Sequence, residues 1–295
     1  MMENLQLLVS YFQQTPLAFV LAVFVVSLCV GSFLNVVIYR LPIMMETAFE
    51  QEYQEYFHPK TAKPLDETFN LAVPRSACPK CHHPLAARDN IPVLGWLLLG
   101  GKCRYCKTPI SKRYPIVELS TAVLSAVVAY HFGASGFGSL AIVTTWCLIA
   151  LTGTDIDKML LPDEITLPLL WLVLSATLFG IGQSSADAIL GAAVGYLSLW
   201  SVYWAFKLLT GKEGMGYGDF KLMAIFGALL GWQQLPLVIL LSAVVGAVVG
   251  SVLLMAANKG QDTKIPYGPY IIGAGFIALL WGEQIKNAYL GYVLN

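Results

Sequence analysis

Two aspartates lie beside long apolar runs, where ionisable side chains are costly. Asp155 ends the segment Thr-Gly-Thr-Asp155, and Asp219 ends the glycine-rich segment Gly216-Tyr-Gly218-Asp219. Ionisable groups at membrane depth cost roughly 2.5–3.5 kcal/mol on insertion scales, so they usually persist for a functional reason. Two carboxylates that share a proton titrate as a pair: one accepts a proton from water while the other donates a hydrogen bond. The two residues are therefore candidates for the acid–base chemistry of peptide hydrolysis.

The acidic residues around this pair also have structural interpretations. Asp163 follows Pro162 and precedes an apolar run, so it is predicted to be the N-cap of the next helix. Asp157 is either a solvated loop charge or a support for Asp155. Asp219 itself could cap the next helix, because the glycines before it permit a tight turn.

Four cysteines form a second chemical cluster. The pairs Cys78-Pro-Lys-Cys81 and Cys103-Arg-Tyr-Cys106 are separated by 21 residues. Each CxxC turn directs two thiolates at one ion, so two turns complete a tetrahedral zinc site with no open position, as in structural sites. Two disulfides or four unligated thiols are the alternatives, and a cytoplasmic location disfavours disulfides.

The remaining thiols and imidazoles near these motifs have simpler interpretations. His82 and His83 follow the first cysteine pair and are either substitute ligands or exposed loop residues. Cys29 and Cys147 lie in apolar runs, where they are predicted to be small buried hydrophobic residues.

The composition defines the class of protein that must position these groups. Of 295 residues, 57% are hydrophobic and 12% are charged, which excludes a soluble domain and indicates a polytopic membrane protein. The first apolar run is predicted to be an uncleaved anchor. Eight apolar runs could span the membrane, and several approach the about 20 residues that a spanning helix needs, although 220–232 is short: 17–40, 116–132, 138–154, 165–182, 187–208, 220–232, 235–257 and 269–285.

The distribution of basic residues predicts the orientation in the membrane. Residues 41–115 hold ten of the 18 Lys and Arg residues. With eight spans, six more lysines fall on the same side: Lys158, Lys207, Lys212, Lys221, Lys259 and Lys264. Only Lys286 falls opposite. The positive-inside rule makes the basic side cytoplasmic, with both termini external and both aspartates at cytoplasmic helix ends.

The sequence therefore predicts an all-α polytopic membrane protein with about eight transmembrane helices and a small cytoplasmic zinc-binding loop domain. Residues 1–41 are predicted to form the external N-terminus and first transmembrane helix. Residues 42–115 form the loop domain, and residues 116–295 form transmembrane helices 2–8, which carry both aspartates. The acidic and aromatic segment Met45–Phe57 is predicted to be a short surface helix.

In this order and spacing, the motifs of the chain resemble those of the bacterial type IV prepilin peptidases, the bifunctional enzymes of type IV pilus and type II secretion systems. The resemblance covers nearly the whole chain. It rests on Gly31–Pro42, the two CxxC pairs, Asn90–Pro92, Ser111–Glu118, Asp155 with Leu161–Asp163, Gly216–Lys221 and Ile265–Pro269.

The resemblance implies an aspartic endopeptidase of the bacterial inner membrane, with Asp155 and Asp219 as the catalytic pair and Asp157 as the runner-up to Asp155. It implies cleavage of prepilin and pseudopilin leaders after a glycine, on the cytoplasmic side. It further implies methylation of the new N-terminus with S-adenosylmethionine and association of the zinc loop with that step. Membrane lipid is an expected partner and nucleic acid is not; the oligomeric state is left open.

The methyl-donor site is not placed by any motif, because the chain contains no glycine-rich dinucleotide fingerprint. Residues near the cysteine pairs are candidates by proximity alone: Asn90, Gly95, Arg113, Tyr114 and Glu118. Glu118 has a second, equally good interpretation: it forms an ion pair with Arg40 that holds the loop at the bilayer.

Two other classes of function compete with peptide hydrolysis. A transporter or proton-coupled channel would use the aspartates as a proton relay, but it requires a polar path, and Leu167–Phe179 and Leu222–Leu230 are almost purely apolar. A membrane scaffold would use the zinc loop to dock a partner and leave both aspartates structural.

Overall fold

The computed structural model describes residues 2–59, 69–256 and 265–293, and nearly all of the backbone in these ranges outside the cysteine-bearing loop is helical. The only β-pairing in the described ranges is two isolated bridges, which confirms the predicted all-α class. The chain divides into two compact units, Met1–Ala150 and Leu151–Asn295. Of the lysines used for the orientation, Lys259 and Lys264 lie outside the described residues, as do Lys60 and Lys63 of the predicted loop.

The first unit contains the long N-terminal helices and the cysteine-bearing loop. Its elements are α1 (Met2–Gln14), α2 (Pro16–Phe57), a 3₁₀ turn (Ala87–Asn90), α3 (Leu94–Leu98), α4 (Arg113–Phe132) and most of α5 (Gly136–Lys158). Helix α2 continues through the segment Met45–Phe57, so the predicted surface helix is its last part. In that part, Gln51 donates to Glu55 at 2.8 Å and Gln54 donates to Glu50 at 2.7 Å, which are the four-residue pairs that stabilise exposed helix.

Helices α2 and α4 pack closely because small and polar residues meet at their interface. A Cβ atom on Gly31 would lie 2.8 Å from the Cα atom of Glu118, so only glycine permits this approach. One turn further along α2, the amide of Asn35 donates to the carbonyl of Tyr114 at 3.2 Å. Both residues belong to the motifs that the sequence singled out, and their role here is to join the two helices.

The second unit contains the last turns of α5 and five further helices: α6 (Asp163–Thr177), α7 (Ser185–Thr210), α8 (Tyr217–Leu230), α9 (Leu235–Ala256) and α10 (Gly268–Val293). Helix α8 contacts each of the other four and is buried from Asp219 to Leu229 except at Lys221. It is therefore the central helix of this unit.

Five helices in the described ranges are long and apolar enough to cross a membrane: α2, α4, α5, α7 and the segment Trp232–Val252 that contains most of α9. The other three predicted spans also form helices. However, α6 and α8 comprise 15 and 14 residues, which is short of the about 20 that a straight span needs. The polytopic class is confirmed, and the count of eight stays a prediction.

The contact between α7 and α8 depends on two glycines that face each other. A Cβ atom on Gly191 would lie 2.0 Å from the carbonyl oxygen of Gly227, and a Cβ on Gly227 would lie 2.0 Å from the carbonyl oxygen of Gly191. The backbones therefore touch directly, as small residues allow between membrane helices. Because the obstructing atoms are backbone, no side-chain movement can make room for a larger residue.

We expect Gly191→Ala to destabilise the protein by about 1–3 kcal/mol, the usual cost of overpacking, because the two helices must move apart. Thermal unfolding in detergent, followed by circular dichroism, measures the change. Gly273→Ala in α10 is the matched control, since a Cβ there meets no atom within 4 Å. Equal melting temperatures for the two variants would contradict the proposed backbone contact.

Candidate active site and candidate metal centre

Asp155 lies in the last turn of α5 and is held by a backbone donor from α10. Only 5% of the residue is exposed. The N–H of Gly268 donates to its Oδ2 at 2.9 Å, and a Cβ at position 268 would lie 2.6 Å from that same oxygen. Residue 268 must therefore be glycine for α10 to begin against the carboxylate.

Asp219 lies in the first turn of α8 and is 6% exposed. The N–H of Gly216 donates to its Oδ2 at 3.3 Å, so the carboxylate does cap the helix, as one interpretation of the sequence predicted. Capping does not account for its position: Gly218, the residue before Asp219, and Gly268, which binds Asp155, both approach the side chain of Leu161. A cap needs no second carboxylate, whereas shared-proton chemistry does.

Leu161 brings the two carboxylate-bearing elements together. It lies in the connection between α5 and α6, where a Cβ on Gly218 would approach its Cβ to 2.7 Å and a Cβ on Gly268 would approach its Cδ2 to 3.3 Å. Gly218 in the first turn of α8 and Gly268 at the start of α10 therefore allow this one side chain to contact both helices. Sequence reasoning assigned no role to Leu161, because its two contacts are distant along the chain.

The other acidic residues of the first motif lie outside this buried pair. Asp157 is exposed. The predicted N-cap role of Asp163 is wrong: Pro162 occupies the cap position, its carbonyl accepts the N–H of Thr166 at 3.0 Å, and Asp163 is the first residue of α6. Both carboxylate oxygens of Asp163 instead accept from Lys221 Nζ, at 2.6 and 2.7 Å.

Sequence reasoning also missed a polar pair next to Gly268. The hydroxyls of Tyr267 and Ser242 lie 3.0 Å apart, Ser242 is fully buried in α9, and Tyr267 directly precedes Gly268, which binds Asp155. The signal was present in the sequence, because Tyr267 belongs to the Ile265–Pro269 motif. A phenolic hydroxyl held in this way adds a donor or acceptor to the surroundings of the carboxylates.

The surroundings of Asp219 favour local chemistry over a proton relay. Phe220 and residues 222–229, which follow it along α8, are buried and apolar. A relay requires titratable or hydrated groups in succession, and the buried side of α8 offers none. The pair can therefore exchange protons with a bound substrate and a water molecule, but not with a path along this helix.

Four sulfur atoms form the candidate metal centre in the first unit. The Sγ atoms of Cys78, Cys81, Cys103 and Cys106 all lie within 4.8 Å of one another, with separations of 3.7 Å between Cys78 and Cys106 and 4.0 Å between Cys81 and Cys103. Tetrahedral zinc with bonds of about 2.3 Å places its sulfur ligands about 3.8 Å apart. The cluster has the size and the donor set of such a site.

The two CxxC turns have the same backbone structure. In the first turn, the N–H of Cys78 donates to the carbonyl of His83 at 3.0 Å, and the N–H of His82 donates to the carbonyl of Cys78 at 2.9 Å. In the second turn, the N–H groups of Cys103 and Lys107 are the donors of the two equivalent bonds. His82 and Lys107 occupy the same left-handed position, with φ of +55° and +58°. His82 is therefore a turn residue, and His83 packs against the ring of Tyr105, so the cluster consists of the cysteines alone.

An ion pair supports the second cysteine turn from the neighbouring 3₁₀ turn. Arg104 Nε donates to both carboxylate oxygens of Asp89, at 2.8 and 3.1 Å, and the Asp89 side chain is 3% exposed. The hydrogen bonds from this guanidinium lower the pKa of the Asp89 carboxyl. A Cβ on Gly95 would lie 2.3 Å from the carbonyl oxygen of Asp89, so α3 packs directly on this turn.

The loop is attached to α2 and α4 by two buried charged residues that bind backbone groups. Glu118 accepts the N–H of Val93 at 2.7 Å, where Val93 has a φ of +60° that is strained for a β-branched residue. Arg40 donates to the carbonyls of Asn70 and Pro74, at 2.9 and 2.6 Å. The expected ion pair between Arg40 and Glu118 is therefore wrong, because each is engaged with a different part of the loop.

Comparison with known proteins finds two family matches that together cover most of the chain. Residues 25–132 match the family described as bacterial peptidase A24 N-terminal domain, and residues 142–251 match the type IV leader peptidase family. No solved structure matches the chain.

Several similar proteins are named prepilin leader peptidase/N-methyltransferase. The one from Aeromonas salmonicida is 58% identical over 274 residues, which cover 92% of this chain and 94% of that protein. The one from Pseudomonas aeruginosa is 53% identical over 285 residues, covering 97% and 98%. The one from Legionella pneumophila is 45% identical over 266 residues, covering 90% and 92%.

We expect the purified protein to carry about one zinc ion per chain, bound by the four thiolates. Cys103→Ser should lose the metal because three sulfurs leave the tetrahedral site incomplete, and atomic absorption of the dialysed protein measures the content. Cys147→Ser is the control, since Cys147 lies in α5 outside the cluster. Full zinc content in the Cys103 variant would contradict the assignment.

Proposed function

Because the chain belongs to the type IV leader peptidase family, we propose that it is a prepilin leader peptidase and N-methyltransferase that cleaves with Asp155 and Asp219. The family resemblance predicted from the motifs is confirmed by these similarities. One observation carries the assignment of the two residues: two buried carboxylates, each bound by a glycine N–H, lie on helix ends that meet at Leu161.

Such a pair supplies the groups that hydrolysis of a peptide bond requires. Two buried carboxylates at close range hold one proton between them, because two uncompensated charges are unfavourable there. The ionised member takes a proton from water as the water oxygen bonds to the scissile carbonyl carbon. The protonated member hydrogen-bonds the carbonyl oxygen. When the carbon–nitrogen bond breaks, a proton passes to the departing amine, which is the new N-terminus.

The glycines determine how the substrate and the water reach the pair. A Cβ on Gly216 would meet no atom within 4 Å except Asp219 Oδ2, so an extended peptide backbone can approach Asp219 closely on this side. The single N–H donors from Gly216 and Gly268 hold each carboxylate in place and leave further oxygen lone pairs for the substrate and the water. Burial of the pair excludes other water.

The local structure supports Asp155 rather than Asp157 as the first catalytic residue. Asp155 is buried and bound by Gly268, whereas Asp157 is exposed two residues further along α5. Residues two apart on a helix point to opposite sides. Only Asp155 can therefore face the start of α10 and interact with Asp219.

For the first unit, we propose that the cysteine cluster holds a structural zinc ion, which has no open position for catalysis. The loop of about 75 residues has little apolar core, and metal binding supplies folding free energy in such small domains. We further propose that this loop supports methylation of the new N-terminus with S-adenosylmethionine as methyl donor. Gly95 and Glu118 contribute to that step by keeping α3 and Val93 in position.

The proposed setting is the bacterial inner membrane, with prepilins and pseudopilins as substrates. The apolar helices support a membrane location. The distribution of Lys and Arg supports placement of residues 42–115 and both aspartates on the cytoplasmic side. Cleavage then occurs after a glycine of the leader, at the cytoplasmic end of the substrate's apolar helix.

We expect Asp155→Asn and Asp219→Asn each to reduce leader removal by about three orders of magnitude or more, since losing one member of a catalytic set removes most of its function. Incubation of each purified variant with a prepilin in detergent, read by gel shift, measures the rate. Asp157→Asn is the matched control and should cleave normally. Cleavage by both the Asp155 and Asp219 variants would refute the aspartic mechanism, and an inactive Asp157 variant would reassign the first residue.

We expect replacement of all four loop cysteines by serine to impair methylation more than cleavage, because the zinc loop and the carboxylate pair belong to different units. Mass spectrometry of the cleaved pilin separates methylated from unmethylated product in one assay. Asp219→Asn provides the reciprocal control when it is given pre-cleaved pilin, which it should still methylate. Normal methylation by a zinc-free variant would contradict the proposed role of the loop.

A further inference from the structure

An ion pair joins α6 to α8 next to the carboxylate pair. Lys221 Nζ lies 2.6 and 2.7 Å from the two oxygens of Asp163, which is 58 residues earlier in the chain. The hydroxyl of Thr166, fully buried in α6, contacts Asp163 Oδ1 at 3.4 Å and helps to orient the carboxylate. The Lys221 and Asp163 side chains are 26% and 51% exposed. The pair therefore lies at the surface, but its partners are fixed to two different helices.

Both partners are close in sequence to the residues proposed for catalysis. Asp163 begins α6, and only the connection 159–162 separates it from α5, which carries Asp155. Lys221 follows Asp219 by two positions on α8. Since side chains two apart on a helix point in different directions, Lys221 faces α6 while Asp219 faces the buried pair.

A second contact at this junction has little directional preference of its own. Leu161 packs against Gly218, which has no side chain to interlock with it. The segment that leads into α8 contains Gly211, Gly214 and Gly216, so the backbone there has few steric restraints. A lysine bound to both oxygens of one carboxylate, by contrast, sets both a distance and a direction.

We propose that Lys221 and Asp163 form a clamp that positions Asp219 relative to Asp155, and that both are positioning residues for cleavage. This inference rests on the proposed function of the two aspartates. A half-exposed ion pair contributes little to global stability. A displacement of reacting groups by about 1 Å can nevertheless cost about a hundredfold in rate. Loss of the clamp should therefore reduce turnover while the fold remains intact.

The test compares Lys221→Met, Asp163→Asn and the double variant in a prepilin cleavage assay. For each, we expect kcat to fall by about tenfold to a hundredfold, with KM and the melting temperature unchanged. The double variant should lose no more than either single variant, because both changes remove the same clamp. Lys221→Arg should restore most of the turnover, since a guanidinium also binds both oxygens of a carboxylate.

Lys286→Met is the matched control, because it breaks a comparably exposed ion pair with Glu283 in α10 of the same unit. It should leave kcat unchanged. The proposal is overturned if Lys221→Met keeps more than half of the wild-type kcat, if the losses of the single variants multiply, or if only KM changes. Asp155→Asn and Asp219→Asn separate the clamp from the proposed function. If both aspartate variants still cleave prepilin, the proposed function is refuted. If both are inactive and Lys221→Met cleaves normally, only the clamp is refuted.

Discussion

The second unit depends on the burial of two carboxylates whose described hydrogen bonds come from backbone N–H groups. Gly268 binds Asp155 and Gly216 binds Asp219, and neither carboxylate belongs to any of the ion pairs seen in the described part of the chain. A buried charge without a counter-ion is unfavourable, so one proton shared by the pair lowers the cost. In the proposed mechanism the same constraint supplies the reactivity, because a shared proton leaves one carboxylate able to accept and the other able to donate.

This arrangement requires three segments to meet with almost no space between them. The end of α5 and its connection to α6 contact the start of α8 through Gly218 and the start of α10 through Gly268. The central helix α8 is in turn held by α7, where Gly191 and Gly227 meet backbone to backbone. Glycine thus recurs where a side chain would separate the carboxylates, and directional restraint must come from elsewhere, such as the ion pair between α6 and α8.

The loop of the first unit solves a different problem, since a short polar segment has little apolar surface to bury. Two identical turns bring four sulfurs within reach of one ion. Buried Arg40 on α2 and Glu118 on α4 then bind backbone groups of the loop rather than each other. Each of these charges satisfies a polar group that would otherwise lack a partner, and the loop is attached at two separate points.

The sequence by itself determined the features that depend on short spacing: the apolar helical runs, the two CxxC turns, the glycines before Asp219 and the motif order that identifies the family. Tertiary structure decided which distant residues meet. It buried Asp155 and exposed Asp157, turned Asp163 from an expected cap into the partner of Lys221, and gave Arg40 and Glu118 different partners. It also placed Leu161 against two glycines. Local patterns follow from backbone geometry, whereas contacts across 25 or more residues depend on how whole helices and loops pack, which spacing along the chain does not encode.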